Sequence, residues 1–317
     1  MVSVYAPASI GNVGVGFDLL GAAVSPIDGS LLGDVVTLTG EVDGDFQLSV
    51  RGPFKDALPQ DQKENIVYQC CVYFRDSLLE KRAQVPYLAL TLDKNLPVGS
   101  GLGSSATSIV AALHALNVYF EQPFEQNQLL AMMGKFEGQL SGSVHYDNVA
   151  PCYLGGLQLM VNDEDICQSL PVQTDWYWVM AYSGINVSTK MARDVLPKQI
   201  SMATAIEYAR NLAAFVDALH KDEGAKAGGF ISDPIAEPHR RHLLPGFAEV
   251  TTALKARGAI ACGISGSGPT LFAITDSLEK AEQFKALLIK DYLQNEQGFC
   301  TICSIDQQGA RVLPESP

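Results

Sequence analysis

Between residues 96 and 106 the chain reads Leu96-Pro-Val-Gly-Ser-Gly-Leu-Gly-Ser-Ser-Ala106, a dense cluster of glycine and serine. Glycine reaches positive φ without steric cost, so the backbone there can bend tightly. N–H groups exposed in such a bend, just ahead of a helix, form a cradle for anionic oxygens. The chemistry expected of this loop is phosphate binding. Two familiar loop types do not fit it. Gly103 is followed by Ser104 and Ser105 with no lysine, unlike a Walker A loop. Gly99, Gly101 and Gly103 alternate with single residues, unlike the Gly-x-Gly-x-x-Gly of a Rossmann unit. Glu121 lies near the distance of a ribose-binding acid, but Gln-Pro-Phe and a second helical pattern follow it.

Other side chains with chemical capacity lie far from the loop in sequence. Leu129, Leu130, Met133, Phe136 and Leu140 define one face of a helix. Glu137 falls only about 20° from Leu130 on that wheel, at the edge of the apolar stripe. A carboxylate there must be paired, protonated or bound to a cation, and Mg²⁺ suits it. His145 stands in a polar glycine/serine context, whereas His114 on its helix and His220, His239 and His242 among charges suit structural or solvated roles. Near the start, Asn12 and Asp18 sit among small residues and can accept bonds from a cationic group. Arg193 and Arg240 can each grip a carboxylate or phosphate with two parallel bonds. A second glycine/serine loop, Gly263-Ile-Ser-Gly-Ser-Gly-Pro-Thr270, precedes a strand-like run. Paired with the first loop, it points to a cleft.

The elements that must position these groups follow from periodicity. Strands are expected at Val2–Ala6, Asp34–Leu38, Phe46–Val50, Tyr87–Asp93 and Trp176–Tyr182, with a strand pair around Ile260–Thr275. Helices are expected at Ile66–Leu79, Ser105–Phe120, Phe124–Leu140, Thr204–His220, Gly246–Arg257 and Leu278–Asp291. Without a strict βαβ rhythm, the fold class is α+β. The length of 317 residues suits two domains, divided near residues 163–172 (1–165 and 166–317). A formal net charge of -13 disfavours nucleic acid and anionic membranes as partners. Seven irregularly spaced cysteines suggest reduced thiols rather than a disulfide framework. Met1-Val-Ser-Val-Tyr5 carries no basic stretch leading an apolar run, so a cytoplasmic protein is expected.

Together these segments resemble the GHMP kinases, a family of ATP-dependent small-molecule kinases, and among them most of all the members that phosphorylate homoserine. The resemblance spans nearly the whole chain. It rests on Ala6-Pro-Ala…Asn12…Gly16-Phe-Asp18, Glu64-Asn-Ile-Val67, Pro97–Ala106, Ser143-Val-His-Tyr-Asp-Asn-Val-Ala-Pro151, Ser188-Thr189…Arg193, Glu237-Pro-His-Arg240 and Gly263–Thr270.

That resemblance implies a two-domain fold, ribosomal protein S5-like in its N-terminal part and ferredoxin-like in its C-terminal part, often assembled as a homodimer. It implies transfer of the γ-phosphoryl of ATP to the hydroxyl of L-homoserine, in threonine synthesis, with Mg²⁺. The ATP phosphates would lie on Pro97, Val98, Gly99, Ser100, Gly101, Leu102, Gly103, Ser104, Ser105, Ala106 and Thr107. Ser104 or Ser105 with Glu137 would hold Mg²⁺, Asn65 would lie by the base, and Thr189 near the transferred phosphoryl. Asn12, Asp18, His145, Asn148, Arg193, Arg240 and Gly266 would surround homoserine. Homoserine is a zwitterion, so Asp18 would take its ammonium, and Arg193 with Arg240 its carboxylate. Asn148 stands where other members carry an aspartate base. An amide cannot serve so, and direct attack of the hydroxyl with charge stabilisation is expected. Asp147 is the challenger for a base. The family usually has serine or alanine before the asparagine, whereas this chain has Ile10-Gly11-Asn12. Alternatives are a mevalonate- or shikimate-type acceptor, or a binding protein without catalysis.

Overall fold

The structure, a computed structural model, describes residues 1–141, 144–162 and 164–314, with the backbone alone at 140 and 141. The Leu140 side chain, Ser143 and Asp163, all used in the sequence expectations above, therefore lie outside the described residues. The chain opens with strands β1 (Val2–Gly11), β2 (Leu20–Pro26), β3 (Gly33–Val42) and β4 (Gln47–Arg51). Helix α1 (Ile66–Leu79) leads to β5 (Tyr87–Asp93), then α2 (Ser104–Tyr119), α3 (Gln126–Ser141) and α4 (Val149–Leu154). Next come β6 (Leu157–Met160), β7 (Cys167–Leu170), β8 (Tyr177–Tyr182), α5 (Thr189–Asp194), α6 (Met202–His220), α7 (Gly224–Gly229) and α8 (Glu237–Arg240). The chain closes with α9 (Phe247–Ala256), β9 (Ala261–Ile264), β10 (Leu271–Thr275), α10 (Leu278–Asp291), β11 (Phe299–Ile305) and β12 (Arg311–Val312). The α+β expectation holds.

Among the described residues the strands join into one sheet with the central order β4-β5-β3-β1-β2-β11-β8-β10-β9. β1 is its pivot. Val2–Pro7 pairs with β3, and Ala8–Gly11 pairs with β2. Proline has no N–H to give a ladder, and Pro7 sits where β1 changes partner. β4 runs parallel to β5, and α1 supplies the crossover that a parallel pair needs. The two halves are interwoven: β2 pairs with β11, and β12 returns to β1.

Three apolar cores flank this sheet. α1, α2 and α3 cover β1, β3 and β5, with Phe74, Leu88 and Leu113 fully buried. α9 and α10 cover the β8–β10 end around Phe284 and Leu288. A middle core joins Ile10 and Leu20 to Trp178, Phe215 and Phe272, so it draws on both halves of the chain. α2 is buried nearly all round, which its Ala-Thr-Ser-Ile-Val-Ala-Ala-Leu run permits because small residues let neighbours approach closely. Its N-terminus is thereby held beneath the glycine loop.

Candidate active site

Gly99, Gly101 and Gly103 adopt φ of 68°, 78° and 66°, left-handed values that favour glycine. Gly103 is the residue before α2, so the loop delivers its turns onto a helix N-terminus. The second glycine loop is bound directly to the first. Ser265 Oγ donates to Gly101 O at 2.7 Å, and Thr270 donates to Ser100 O through both Oγ1 (2.7 Å) and N (3.1 Å). Gly266 N donates to Gly11 O at 3.0 Å, which ties the pair of loops to the end of β1.

Beneath the phosphate loop lies a buried ion pair that sequence reasoning missed. Lys94 is 1 % exposed and Asp34 0 %. Lys94 Nζ donates to Asp34 Oδ2, to Ser104 O at 2.6 Å and to Ser108 Oγ at 3.0 Å. Asp34 also accepts from Asn95 N, Leu96 N, Thr107 Oγ1 and Ser108 Oγ. The pair thus clamps the start of α2 to both ends of the preceding segment. Lys94→Met would strand a buried carboxylate, at an expected cost of about 3–5 kcal/mol. Urea unfolding measures this, and adding Asp34→Asn should recover much of the loss. A single variant as stable as the parent would contradict the clamp.

A cleft of about 590 Å³ opens over the loops and takes side chains from both halves of the chain. Glu137, on α3, accepts from Ser105 Oγ at 2.8 Å and 3.1 Å. Burial pushes its carboxyl above the ordinary carboxylate range, while the Ser105 hydroxyl pulls it back. An all-oxygen donor set with a desolvated carboxylate fits Mg²⁺, which is content with few protein ligands when phosphate oxygens complete its shell. The Ser104 hydroxyl instead donates to Leu96 O at 3.2 Å. Among the described residues no cluster of three or more His, Cys, Asp or Glu could hold a metal by itself.

On other walls of the same cleft stand Asn12, Asp18, His145, Asp147, Asn148, Arg193, Arg240 and Gly266. Asn12 sits at φ 69° at the end of β1. Its Oδ1 accepts from Asp18 N at 2.8 Å, and its Nδ2 donates to Gly266 O at 3.2 Å. Arg240, nearly buried on α8, donates to Ala192 O (3.0 Å) and Gly266 O (2.9 Å), with its guanidinium 5.3 Å from the Phe17 ring centroid. Arg193, on α5, makes a two-point ion pair with Asp18 at 2.9 Å and 3.2 Å. The two groups assigned to opposite ends of a zwitterion hold each other here. His145 Nδ1 is 3.8 Å from Asp18 Oδ2.

Asn148 precedes α4, and its Oδ1 accepts from Ser9 Oγ at 2.8 Å. Gly11 explains the departure from serine or alanine before the asparagine. A Cβ there would stand 2.7 Å from Asp147 Oδ2 and 2.9 Å from Asn148 Nδ2, so glycine lets β1 pass beneath both groups. Asp147 is 6 % exposed. Burial lifts its carboxyl to about 7, the carboxylates of Asp18 and Glu137 add to the rise, and Arg193 opposes it.

Asp147 therefore keeps its proton in the folded protein at pH values where the unfolded chain has lost it. The folded state is favoured fully below the ordinary value of 3.8 and loses that advantage as pH rises towards 7. Asp147→Asn should match wild type near pH 4 and exceed it above pH 7 by up to roughly 4 kcal/mol. Denaturation of both proteins at each pH checks this. A gap that does not change with pH would refute the lifted carboxyl.

Not every expected site residue faces the cleft. Pro97, Leu102, Ala106 and Thr107 are not among its lining residues, and the Thr107 hydroxyl serves Asp34. Asn65 is buried as the cap of α1, accepting from Val67 N at 2.9 Å, while its neighbours Glu64 and Ile66 line the cleft. Its Nδ2 has no partner among the described residues. Thr189 opens α5 and is exposed at the cleft.

Comparison with known proteins bears on the family and the fold. The family model of the GHMP kinases N terminal domain matches residues 65–156, and that of the GHMP kinases C terminal region matches residues 215–293. A homoserine kinase from Cytophaga hutchinsonii ATCC 33406 is 33% identical in sequence, with a TM-score of 0.89 over 98% of this chain and 97% of that one. The chain belongs to the GHMP kinase family. As a GHMP kinase it is a phosphotransferase, and such kinases use ATP, generally with Mg²⁺. Two further structures share the fold. A putative homoserine kinase from Listeria monocytogenes is 19% identical, with a TM-score of 0.75 over 100% of both chains. L. major mevalonate kinase, solved with R-mevalonate, is 16% identical, with a TM-score of 0.68 over 95% of both. Within this GHMP kinase, no helix among the described residues is long and apolar enough to cross a membrane.

Proposed function

We propose that this GHMP kinase transfers the γ-phosphoryl group of ATP to the side-chain hydroxyl of L-homoserine, giving O-phospho-L-homoserine for threonine synthesis. The observation that carries the reading is the charge pattern of the cleft. Beside Ser105 and Glu137 it presents two arginines, Arg193 and Arg240, and the Asp18 carboxylate, with the largely protonated Asp147 carboxyl next to them. An acceptor with both an ammonium and a carboxylate matches that set, and an acceptor lacking the ammonium does not. The 33% identity to a protein described as a homoserine kinase supports the same acceptor.

The chain's own residues then act by placement. The glycine loop presents its N–H groups to the phosphates at the start of α2. Ser105 and Glu137 would hold Mg²⁺, which would supply charge neutralisation on the phosphates. Asp18 receives the ammonium, and Arg193 and Arg240 the carboxylate, which leaves the hydroxyl beside Asn148. Asn148 orients the hydroxyl and cannot take its proton. The hydroxyl oxygen bonds to the γ-phosphorus as the bond to the departing ADP oxygen breaks, its proton passing to an oxygen of the transferred phosphoryl group, with Thr189 donating to that group. Catalysis comes chiefly from orientation and preorganised charge.

An ADP-release assay with Mg-ATP and L-homoserine, L-threonine, mevalonate or shikimate tests the acceptor. Turnover is expected with L-homoserine. Turnover of mevalonate or shikimate in its place would overturn the reading.

A further inference from the structure

Asp18 and Arg193 lie 175 residues apart in sequence, one between β1 and β2 and the other on α5. Their mutual contact is a fork. Arg193 Nη2 donates to Asp18 Oδ1 at 2.9 Å, and Nη1 donates to Oδ2 at 3.2 Å. Both side chains are 28 % exposed, so solvent screens the pair only in part. The backbone that carries the carboxylate is held from behind. Asp18 occupies φ 59°, and its N–H donates to Asn12 Oδ1. Arg193 Nε is buried without a partner among the described residues, so the outer fork spent on Asp18 is this guanidinium's one hydrogen-bonded engagement there. Arg240 is committed to backbone carbonyls through Nε and Nη1.

We infer that the Asp18–Arg193 pair is a charge latch across the acceptor subsite, opened by exchange with a zwitterion and opened only at a loss by a singly charged alcohol. The inference rests on the homoserine reading and deepens it. When a zwitterion enters, its ammonium replaces Arg193 at Asp18, and its carboxylate replaces Asp18 at Arg193. One ion pair becomes two, and no charge is stranded. A hydroxy acid without the amine frees Arg193 but takes from Asp18 its guanidinium partner, leaving the carboxylate beside His145 Nδ1 at 3.8 Å, whose protonation burial disfavours. A hydroxy amine strands Arg193 in the same way, and a neutral diol leaves the latch shut. The two substrate charges are then cooperative: together they gain more affinity than the sum of the gains from either alone, because a single charge bears the whole cost of opening the pair.

The test compares L-homoserine with 4-hydroxybutyrate, the same molecule without its ammonium, on wild type and Asp18→Asn. Asparagine tolerates the left-handed backbone at residue 18, so the variant keeps the turn. For Asp18→Asn the KM for homoserine should rise, while 4-hydroxybutyrate, measured by calorimetry, should bind about tenfold more tightly than to wild type. A stability cycle on the unliganded protein (Asp18→Asn, Arg193→Gln and both together) guards against simple repulsion. The double variant should lose less in Tm than the two single losses added. If wild type turns over homoserine but Asp18→Asn binds 4-hydroxybutyrate no better, or the cycle shows no coupling, the latch is refuted and the acceptor stands. If wild type does not use homoserine, the acceptor reading and the latch fall together.

Discussion

Glu137→Gln is expected to lower kcat by about 10²–10³-fold, the scale of losing one preorganised charge contact at developing phosphoryl charge. Glutamine keeps the shape and can still bond with the Ser105 hydroxyl, so position is preserved while the charge is removed. The stability of the variant should move the other way. Burial disfavours the Glu137 carboxylate in the folded protein, so a neutral amide there should leave Tm unchanged or raise it. Activity lost with stability kept separates a metal-holding role from a structural one. Steady-state rates over a Mg²⁺ titration, with a thermal melt of each protein, supply both halves. A variant that reaches within threefold of the wild-type kcat at saturating Mg²⁺ would remove Glu137 from the site.

The second large effect concerns the contact between the two glycine loops. A Cβ on Gly101 would lie 2.4 Å from Ser265 O and 2.8 Å from Gly268 O, both backbone atoms with little freedom to retreat. The residue also holds φ 78°. Gly101→Ala therefore combines left-handed strain of about 1–2 kcal/mol with overpacking of about 1–3 kcal/mol. Stability should fall by roughly 2–5 kcal/mol on this account. The affinity for ATP should fall with it, because the loops must part to admit the methyl group. Gly29→Ala is the matched control. Gly29 has φ 80° and nothing within 4 Å of its added Cβ, so it bears the strain without the crowding. Urea unfolding and nucleotide titration of the two variants isolate the packing term, and equal losses would show that the loops do not need their close approach.

Much of the scaffold was legible in local pattern. The expected bounds of α1, β5 and α10 coincide with those observed, and α2 differs by one residue at either end. α1, β5 and α10 each have a period of their own and α2 is a long apolar run, while Asn65 and Ser277 cap α1 and α10 as short polar residues should. β2 was not legible. Leu20-Gly-Ala-Ala-Val-Ser-Pro26 has little intrinsic strand preference, and its conformation comes from pairing with β1, β6 and β11. α4, α5 and α8 are too short to show a period, yet α5 and α8 carry Arg193 and Arg240, and Asn148 immediately precedes α4. The Lys94–Asp34 clamp left no local signal either. Each is one charge beside a strand, and single charges at strand ends are ordinarily solvated.

The residues themselves settled which chemistry was available: a glycine loop without a lysine, a glutamate on an apolar helix edge, two arginines, and an aspartate among small residues. Those properties are covalent or local, so they survive without knowledge of the fold. Tertiary structure alone decided how the charges are spent. It locked the two glycine loops together, buried Lys94 against Asp34, lifted the Asp147 carboxyl, and closed Arg193 onto Asp18. Ion pairing and desolvation depend on distances of a few ångströms between groups up to 175 residues apart, and no spacing along the chain encodes those distances.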